Sequence, residues 1–263
     1  MGLQLTFPSS GCAFVVGGSG GAGSAICARL AEAGSKVALT YHNGKERALR
    51  TAEEVERHGV ASAVYHLEGS DEGSVVSAME AAAERFDGIH SIIYAAGPRI
   101  DFLPVAEAPL ENYVDAIAAE ALTVLNLARA GITHLRRARG SFTACISFAN
   151  RRVLDLDGLS AIPKAAVEST VRQLAAEEGA NAVRANCVGL GWIDVGLGAS
   201  SDAAEQSLRE SFGEDAIAAL LKLIRLGRPG RGDELASAVV FLASEQASYI
   251  TGQTLMADGG ATL

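Results

Sequence analysis

The residues with the most evident chemistry form the run Val15-Val16-Gly17-Gly18-Ser19-Gly20-Gly21-Ala22-Gly23. It falls between a stretch that reads as a strand and one that reads as a helix. Its glycines permit a tight turn, a close backbone approach to a pyrophosphate, and a helix packed on the sheet with its free N–H groups facing the phosphates. In that context the spacing Gly17-x-x-x-Gly21-x-Gly23 is more selective than Gly18-x-Gly20-x-x-Gly23 alone. About twenty residues further on, where a carboxylate would hold the adenosine ribose of NAD, stands Tyr41-His42-Asn43-Gly44-Lys45. With no carboxylate there, and with His42, Lys45 and Arg47 nearby, the site tolerates the extra phosphate of NADP, so NADP is favoured over NAD.

The elements that must position this turn follow from hydrophobic period. Short apolar runs at Cys12 to Val16, Lys36 to Tyr41, Ala61 to Leu67, Ser91 to Tyr94, Ser141 to Ser147, Ala182 to Val188 and Thr254 to Met256 read as strands. Between them, Ser24 to Ala33, Lys45 to Arg57, Ser74 to Phe86, Leu110 to Arg137, Lys164 to Gly179 and Asp233 to Ser244 carry apolar residues at helical spacing. This alternation predicts an α/β fold, a single Rossmann-like domain over residues 1–263 with a doubly wound, parallel, seven-stranded sheet and helices on both faces. The rhythm breaks from Gly196 to Arg231, where no strand is expected and Ala216 to Leu226 reads as a helix. Residues 196–226 are therefore expected to be an insertion above the carboxyl ends of the strands, the place of a substrate lid.

Composition bounds the rest. Of 263 residues, 49% are hydrophobic and 20% charged, enough to bury a sizeable core. Thirty-one acidic against twenty-two basic side chains give a net charge of −9, which disfavours nucleic acid and anionic lipid as partners. No apolar stretch reads as approaching the roughly 18 to 20 residues of a membrane span, and the first residues lack the features of a signal peptide, so a cytoplasmic location is expected. Cys12, Cys27, Cys145 and Cys187 are scattered through apolar contexts with no partners for a metal site, which predicts buried free thiols and no metal.

Taken together these residues resemble the short-chain dehydrogenase/reductase family, in particular its branch of enzymes like 3-oxoacyl-carrier-protein reductase. The resemblance covers the whole chain. Besides the glycine turn, it is carried by Leu67-Glu68-Gly69-Ser70-Asp71, by Asn181 to Val188, by the run Phe241 to Thr254 and by Asp258-Gly259-Gly260. It implies a hydride transfer between a nicotinamide and a carbonyl or alcohol, served by a Tyr-x-x-x-Lys pair, an upstream serine and a helix asparagine. A lysine ammonium would lower the tyrosine's pKa, and the serine would hydrogen-bond the carbonyl oxygen as charge develops there.

In this chain Lys164 matches the lysine, but counting back four residues reaches Ser160, as though about two residues were deleted. Ser147 lies at the family's spacing upstream, the usual second serine is Phe148, and the helix asparagine aligns with Glu120. Tyr94-Ala95-Ala96-Gly97 replaces Asn-Asn-Ala-Gly, and Leu190-Gly191 replaces Pro-Gly. The expected catalytic set is thus Ser147, Ser160, Lys164 and Glu120. The expected cofactor-binding set is Gly17, Ser19, Gly20, Gly21, Ala22, Gly23, Tyr41, His42, Asn43, Glu68, Gly69, Ala95, Ala96, Gly97, Lys164, Gly191 and Ile193.

Three functions are compatible with these departures. The first is an NAD(P)(H)-dependent oxidoreductase that reduces a 3-oxoacyl group or similar ketone with a displaced proton donor, for which Glu120, Asp155, Asp157 and Tyr94 are candidates. Asp155 and Asp157 read as residues of a solvated loop, and Glu120 as a partner for an arginine. The second is a binding protein or hetero-oligomer subunit without turnover, and the third a lyase or isomerase with Glu120 as base. The substrate is expected to be a small molecule or an acyl thioester, and Arg151-Arg152 could meet an anionic carrier. The resemblance also implies a homotetramer or a homodimer, and the stripe Ala118, Ala121, Leu122 and Leu125 is compatible with an interface or with the core.

Overall fold

In a computed structural model of the protein, which describes residues 5–97, 101–194, 213 and 218–263, seven strands form one parallel sheet. They are β1 (Cys12–Val16), β2 (Val37–Tyr41), β3 (Ser62–His66), β4 (Ile89–Tyr94), β5 (Ser141–Ser147), β6 (Arg184–Leu190) and β9 (Thr254–Ala257), in the order β3-β2-β1-β4-β5-β6-β9. Side chains on a strand point alternately to its two faces, and the apolar run of β1 feeds both. Cys12, Phe14 and Val16 enter one core, Ala13 and Val15 the other.

The first face is covered by α3 (Glu72–Phe86), α5 (Thr123–Ala138) and α6 (Gly158–Glu178); the second by α1 (Gly21–Glu32), α2 (Lys45–Arg57) and α7 (Gly232–Ala243). The strand order reverses direction between β1 and β4, which opens the crevice at the carboxyl ends of these strands where ligands bind in open α/β sheets.

The structure corrects several expectations. The helix expected over Leu110 to Arg137 is α4 (Leu110–Ile117), a π-helical turn at Ala118–Leu122, and then α5. The wider turn inserts an extra residue per ring, a device common at functional sites. By length and composition Leu110–Ala138 is long and apolar enough to cross a membrane, contrary to the expectation that no stretch approaches this; its inward residues Val124, Leu127 and Leu135 belong to the core.

α6 starts at Gly158, six residues before the expected Lys164. Pro163 lies inside it, in the second turn, where its missing N–H removes one backbone bond. A short parallel pair, β7 (Ile193–Asp194) with β8 (Gly230–Arg231), occupies part of the stretch where no strand was expected. Much of the expected lid 196–226 lies outside the described residues; of its expected helix, residues 218–223 are helical. All four cysteines are buried and free.

Candidate active site

Gly17 follows β1 with φ +84°, a conformation glycine adopts without strain. A Cβ there would stand 2.9 Å from the backbone of Ala95 and Ala96, which follow β4, so the turn is wedged against the next strand's end. A Cβ on Gly23 would lie 2.1 Å from the Gly17 carbonyl oxygen, so the start of α1 can sit this close only with glycine. Gly20 is the N-cap of α1, no side chain caps it, and the first turn carries no acidic residue. Unsatisfied N–H groups and the positive end of the helix dipole therefore converge at Gly21, Ala22 and Gly23, and these residues fit a dinucleotide's pyrophosphate.

At the end of β2, His42 Nε2 is 2.9 Å from Glu68 Oε2, and its Nδ1 lies 3.0 Å from Asn43 Nδ2. Tyr41 packs edge-on against His66. Arg47 curls back over the loop: a Cβ on Gly44 would meet its Nη2 at 2.9 Å and Ser19 Oγ at 3.2 Å. This brings a guanidinium and a hydroxyl together where the ribose carboxylate is missing. Gly69 is pressed against Thr123, with its carbonyl held by Asn126 Nδ2 at 3.0 Å.

A cleft of about 420 Å³ continues from this cradle across the sheet edge. Ala22 of α1, Ala95 to Gly97, Ser147, Ser160, Lys164, Glu120, Gly191 and Ile193 all line it. Lys164 is its electrostatic centre. Its Nζ donates to Ala96 O at 3.0 Å and to Glu120 Oε2 at 2.7 Å, and sits 4.9 Å from the centroid of the Tyr94 ring. That leaves one of three ammonium donors for a ligand.

Glu120 is only 3% exposed, presented inward by the π-helical turn, and its Oε2 also accepts from Tyr94 Oη at 2.6 Å. Its partner is therefore Lys164, not an arginine. Burial, reinforced by the Glu120 charge, pushes the Tyr94 hydroxyl well above its ordinary pKa, so Tyr94 holds its proton and faces away from solvent. Ser147 Oγ accepts from Ala149 N at 3.1 Å, which leaves its own proton to donate. Ser160 lies in the first turn of α6, one turn before Lys164 on the same side.

One lining residue contradicts its sequence reading. Asp157 does not lie on a solvated loop: it is 7% exposed, lines the cleft, and burial pushes its carboxyl up to about 6. Although it is the N-cap of α6, its side chain makes no capping bond. The preceding Leu156 has φ +67°, a left-handed conformation costing a bulky residue about 1–3 kcal/mol. The loop is pinned by a parallel bridge between Leu103 and Asp157 and a bond from Leu103 N to Leu156 O at 3.2 Å. Asp155, by contrast, is exposed.

The remaining walls are apolar: Phe102, Ile146, Phe148, Leu154, Trp192 and Leu220. Sequence reading named none of the six as a site residue, and only Trp192, the single tryptophan, next to Gly191, offered a signal. Arg151 and Arg152 are not free to meet a carrier. Arg151 pairs with Glu168, and Arg152 donates to the carbonyls of Ala261 and Leu263 at 3.0 and 3.1 Å.

A family model described as enoyl-(acyl carrier protein) reductase matches residues 17–262. Sorbose reductase sou1 of Schizosaccharomyces pombe is 31% identical over 250 residues, covering 94% of this chain and 93% of that protein. The chain belongs to the short-chain dehydrogenase/reductase family. Within it the chain falls on the branch of 3-oxoacyl-[acyl-carrier-protein] reductase FabG: the Staphylococcus aureus (strain Mu50) protein is 28% identical over 249 residues, covering 94% and 96% of the two chains. A solved short-chain dehydrogenase/reductase from Serratia marcescens superposes with a TM-score of 0.85 at 28% identity, covering 96% of this chain and 98% of that one. This short-chain dehydrogenase/reductase has the family's sheet and lysine, with Glu120 and Ser160 where the resemblance expects asparagine and tyrosine.

Proposed function

We propose that the protein is an NADPH-dependent carbonyl reductase of the short-chain type, acting on a 3-oxoacyl group or a similar ketone through a centre without the usual tyrosine. The observation that carries this reading is that one cleft runs from the uncapped start of α1, at Ala22, to Ser147 and Lys164. A bound reduced nicotinamide would supply a hydride to the substrate's carbonyl carbon.

The chain's own residues do the rest. Gly17, Ser19, Gly20, Gly21, Ala22 and Gly23 receive the pyrophosphate, and Tyr41, His42, Asn43, Glu68 and Gly69 surround the adenosine end. Arg47 with Ser19 favours a 2′-phosphate, hence NADP over NAD. The spare N–H of Lys164 is available to a ribose hydroxyl, while Ala95, Ala96, Gly97, Gly191 and Ile193 line the nicotinamide end. Ser147 donates to the carbonyl oxygen as it gains charge, with Ser160 as a second hydroxyl. Glu120 holds Lys164 in place. Its Oε2 is engaged by Tyr94 and Lys164, and its Oε1 lies toward Gly97. The apolar walls suit an acyl chain, and two relatives are reductases by name. Leu122 and Leu125, both exposed on the Leu110–Ala138 run, suit an interface of a homotetramer.

The test is NADPH oxidation with acetoacetyl-coenzyme A and ethyl acetoacetate as probes. Ser147→Ala is expected to lower kcat/KM about 10²–10³-fold with NADPH affinity unchanged. The missing tyrosine, with Lys164 neutralised by Glu120, favours one other reading, a nucleotide-binding protein without turnover. Tight NADPH binding with no oxidation by any carbonyl would establish that reading instead.

A further inference from the structure

The reductase reading leaves a vacancy, since a carbonyl oxygen that gains charge must also gain a proton and the usual tyrosine is absent. Two hydroxyls, Ser147 and Ser160, and two carboxyls, Glu120 and Asp157, line the cleft, and the hydroxyls of Tyr94 and Tyr113 lie nearby without lining it. Tyr94 donates to Glu120 and is 1% exposed, and Glu120, tied through Oε2 to Tyr94 and Lys164, serves as the lysine's counter-ion. Ser147 and Ser160 are very weak acids and suit donation of a hydrogen bond without proton transfer. Asp157 alone is buried, faces the cleft and has no hydrogen-bond partner for its carboxyl among the described residues. A helix N-cap that forgoes its capping bond forgoes a stabilising contact. The left-handed Leu156 and the Leu103–Asp157 bridge hold it there despite a backbone penalty, and such strain concentrates where geometry serves a site.

We propose that Asp157 is the catalytic proton donor of this short-chain dehydrogenase/reductase, its carboxyl delivering a proton to the substrate's carbonyl oxygen. The assignment rests on the reductase reading. In the step, the carbonyl carbon would gain the hydride that a bound reduced nicotinamide supplies on being oxidised, and become the alcohol carbon. The C=O π pair takes the Asp157 proton, the carboxyl O–H bond breaks, and the resulting carboxylate recovers a proton from water. Burial, by raising the carboxyl to about 6, keeps a usable fraction protonated close to neutral pH.

The groups around Asp157 leave this assignment intact. Across the cleft, Lys164 and Glu120 compensate each other, and the Cys145 thiol, pushed up to about 12 by burial, stays neutral. Tyr113 of α4 brings its hydroxyl beside Gly158, where a Cβ would meet it at 3.0 Å; that hydroxyl is buried without a partner among the described residues and does not line the cleft. Asp155 and Asp101 are exposed on the two bridged segments, Arg152 is engaged with the C-terminal carbonyls, and Lys222 on the neighbouring helical stretch is exposed.

The test compares wild type with Asp157→Asn, Asp157→Glu and Asp157→Ala, using NADPH with acetoacetyl-coenzyme A and ethyl acetoacetate. NADPH affinity is read by calorimetry, and the carboxyl itself by ¹³C NMR of aspartate-labelled protein without cofactor. The expected result is NADPH affinity unchanged in all variants and single-turnover oxidation about 10²–10⁴-fold slower in Asp157→Asn. The wild-type rate should fall as pH rises through about 6, a limb absent from Asp157→Asn. One wild-type carboxyl resonance should titrate near that pH and vanish in the variant, and acetate buffer should partly rescue Asp157→Ala. Wild-type turnover that survives Asp157→Asn undiminished overturns the assignment alone. A wild type that binds NADPH but oxidises it with neither probe overturns the assignment and the reductase reading together.

Discussion

Neutralising Glu120 probes the centre most sharply. Its carboxylate and the Lys164 ammonium are 2.7 Å apart, with side chains 4% and 12% exposed, so each charge depends on the other for the solvation that burial removed. In Glu120→Gln the amide oxygen can still accept from Tyr94 Oη and Lys164 Nζ, as Oε2 does now, but the buried ammonium loses the opposite charge that offset its desolvation. Removing one member of a buried pair costs about 3–5 kcal/mol; because the amide keeps part of the hydrogen bonding, we expect a loss near the lower end, about 3 kcal/mol. At about 2–4 °C per kcal/mol for a domain of this size, that is a fall of about 6–12 °C in Tm. Urea unfolding at pH 7 of Glu120→Gln, Lys164→Met and the double variant should yield a coupling of about 1.5–3 kcal/mol. Additivity within about 0.5 kcal/mol, with a small cost for Glu120→Gln, would refute the idea that this buried pair holds the lysine in place.

Other outcomes follow from single contacts. Arg47→Ala should weaken NADPH binding about 10-fold or more and leave NADH unchanged, since a charged hydrogen bond contributes about 1.5–3 kcal/mol; equal effects on both would remove the basis for the NADP preference. Gly23→Ala must displace the Gly17 carbonyl, 2.1 Å from the new methyl, and should abolish nucleotide binding while costing about 1–3 kcal/mol in urea unfolding; wild-type affinity would mean that the turn is not the cradle. His90 is buried neutral, its pKa lowered from 6.5 to about 4 by desolvation, helped by the Lys36 charge. The unfolded chain binds this proton first, so stability should fall as pH drops below about 6.5 and level off below about 4, a loss of about 3 kcal/mol. A urea midpoint with the same acid slope in His90→Phe would contradict it.

The sheet was legible because each central strand is a run of apolar residues, and a strand buried on both faces can be little else once helical stretches alternate with it. The phosphate cradle was legible because only glycine satisfies two contacts at once, the wedge at Gly17 and the approach at Gly23. Asp157 was not. Leu154-Asp155-Leu156-Asp157-Gly158 has the composition of an exposed turn, and the setting of its second aspartate is non-local: a bridge to Leu103, and a cleft wall shared with Phe148, Trp192 and Leu220. The π-helical turn at Ala118–Leu122 was equally invisible, since one extra residue in a ring barely disturbs the apolar period of a long helix, yet it presents Glu120 to Lys164. Pro163 misplaced the start of α6, because a proline reads as a boundary whether or not the helix has already begun.

The central claim is that the turn after β1 and the cleft beyond it hold a nicotinamide dinucleotide. Calorimetric titration of the protein with NADPH and then NADH tests it without any assumption about the substrate. The account predicts micromolar or tighter affinity for NADPH and weaker binding of NADH. No heat with either at millimolar concentration, and no competition between them, would mean that the cradle is empty and would contradict it.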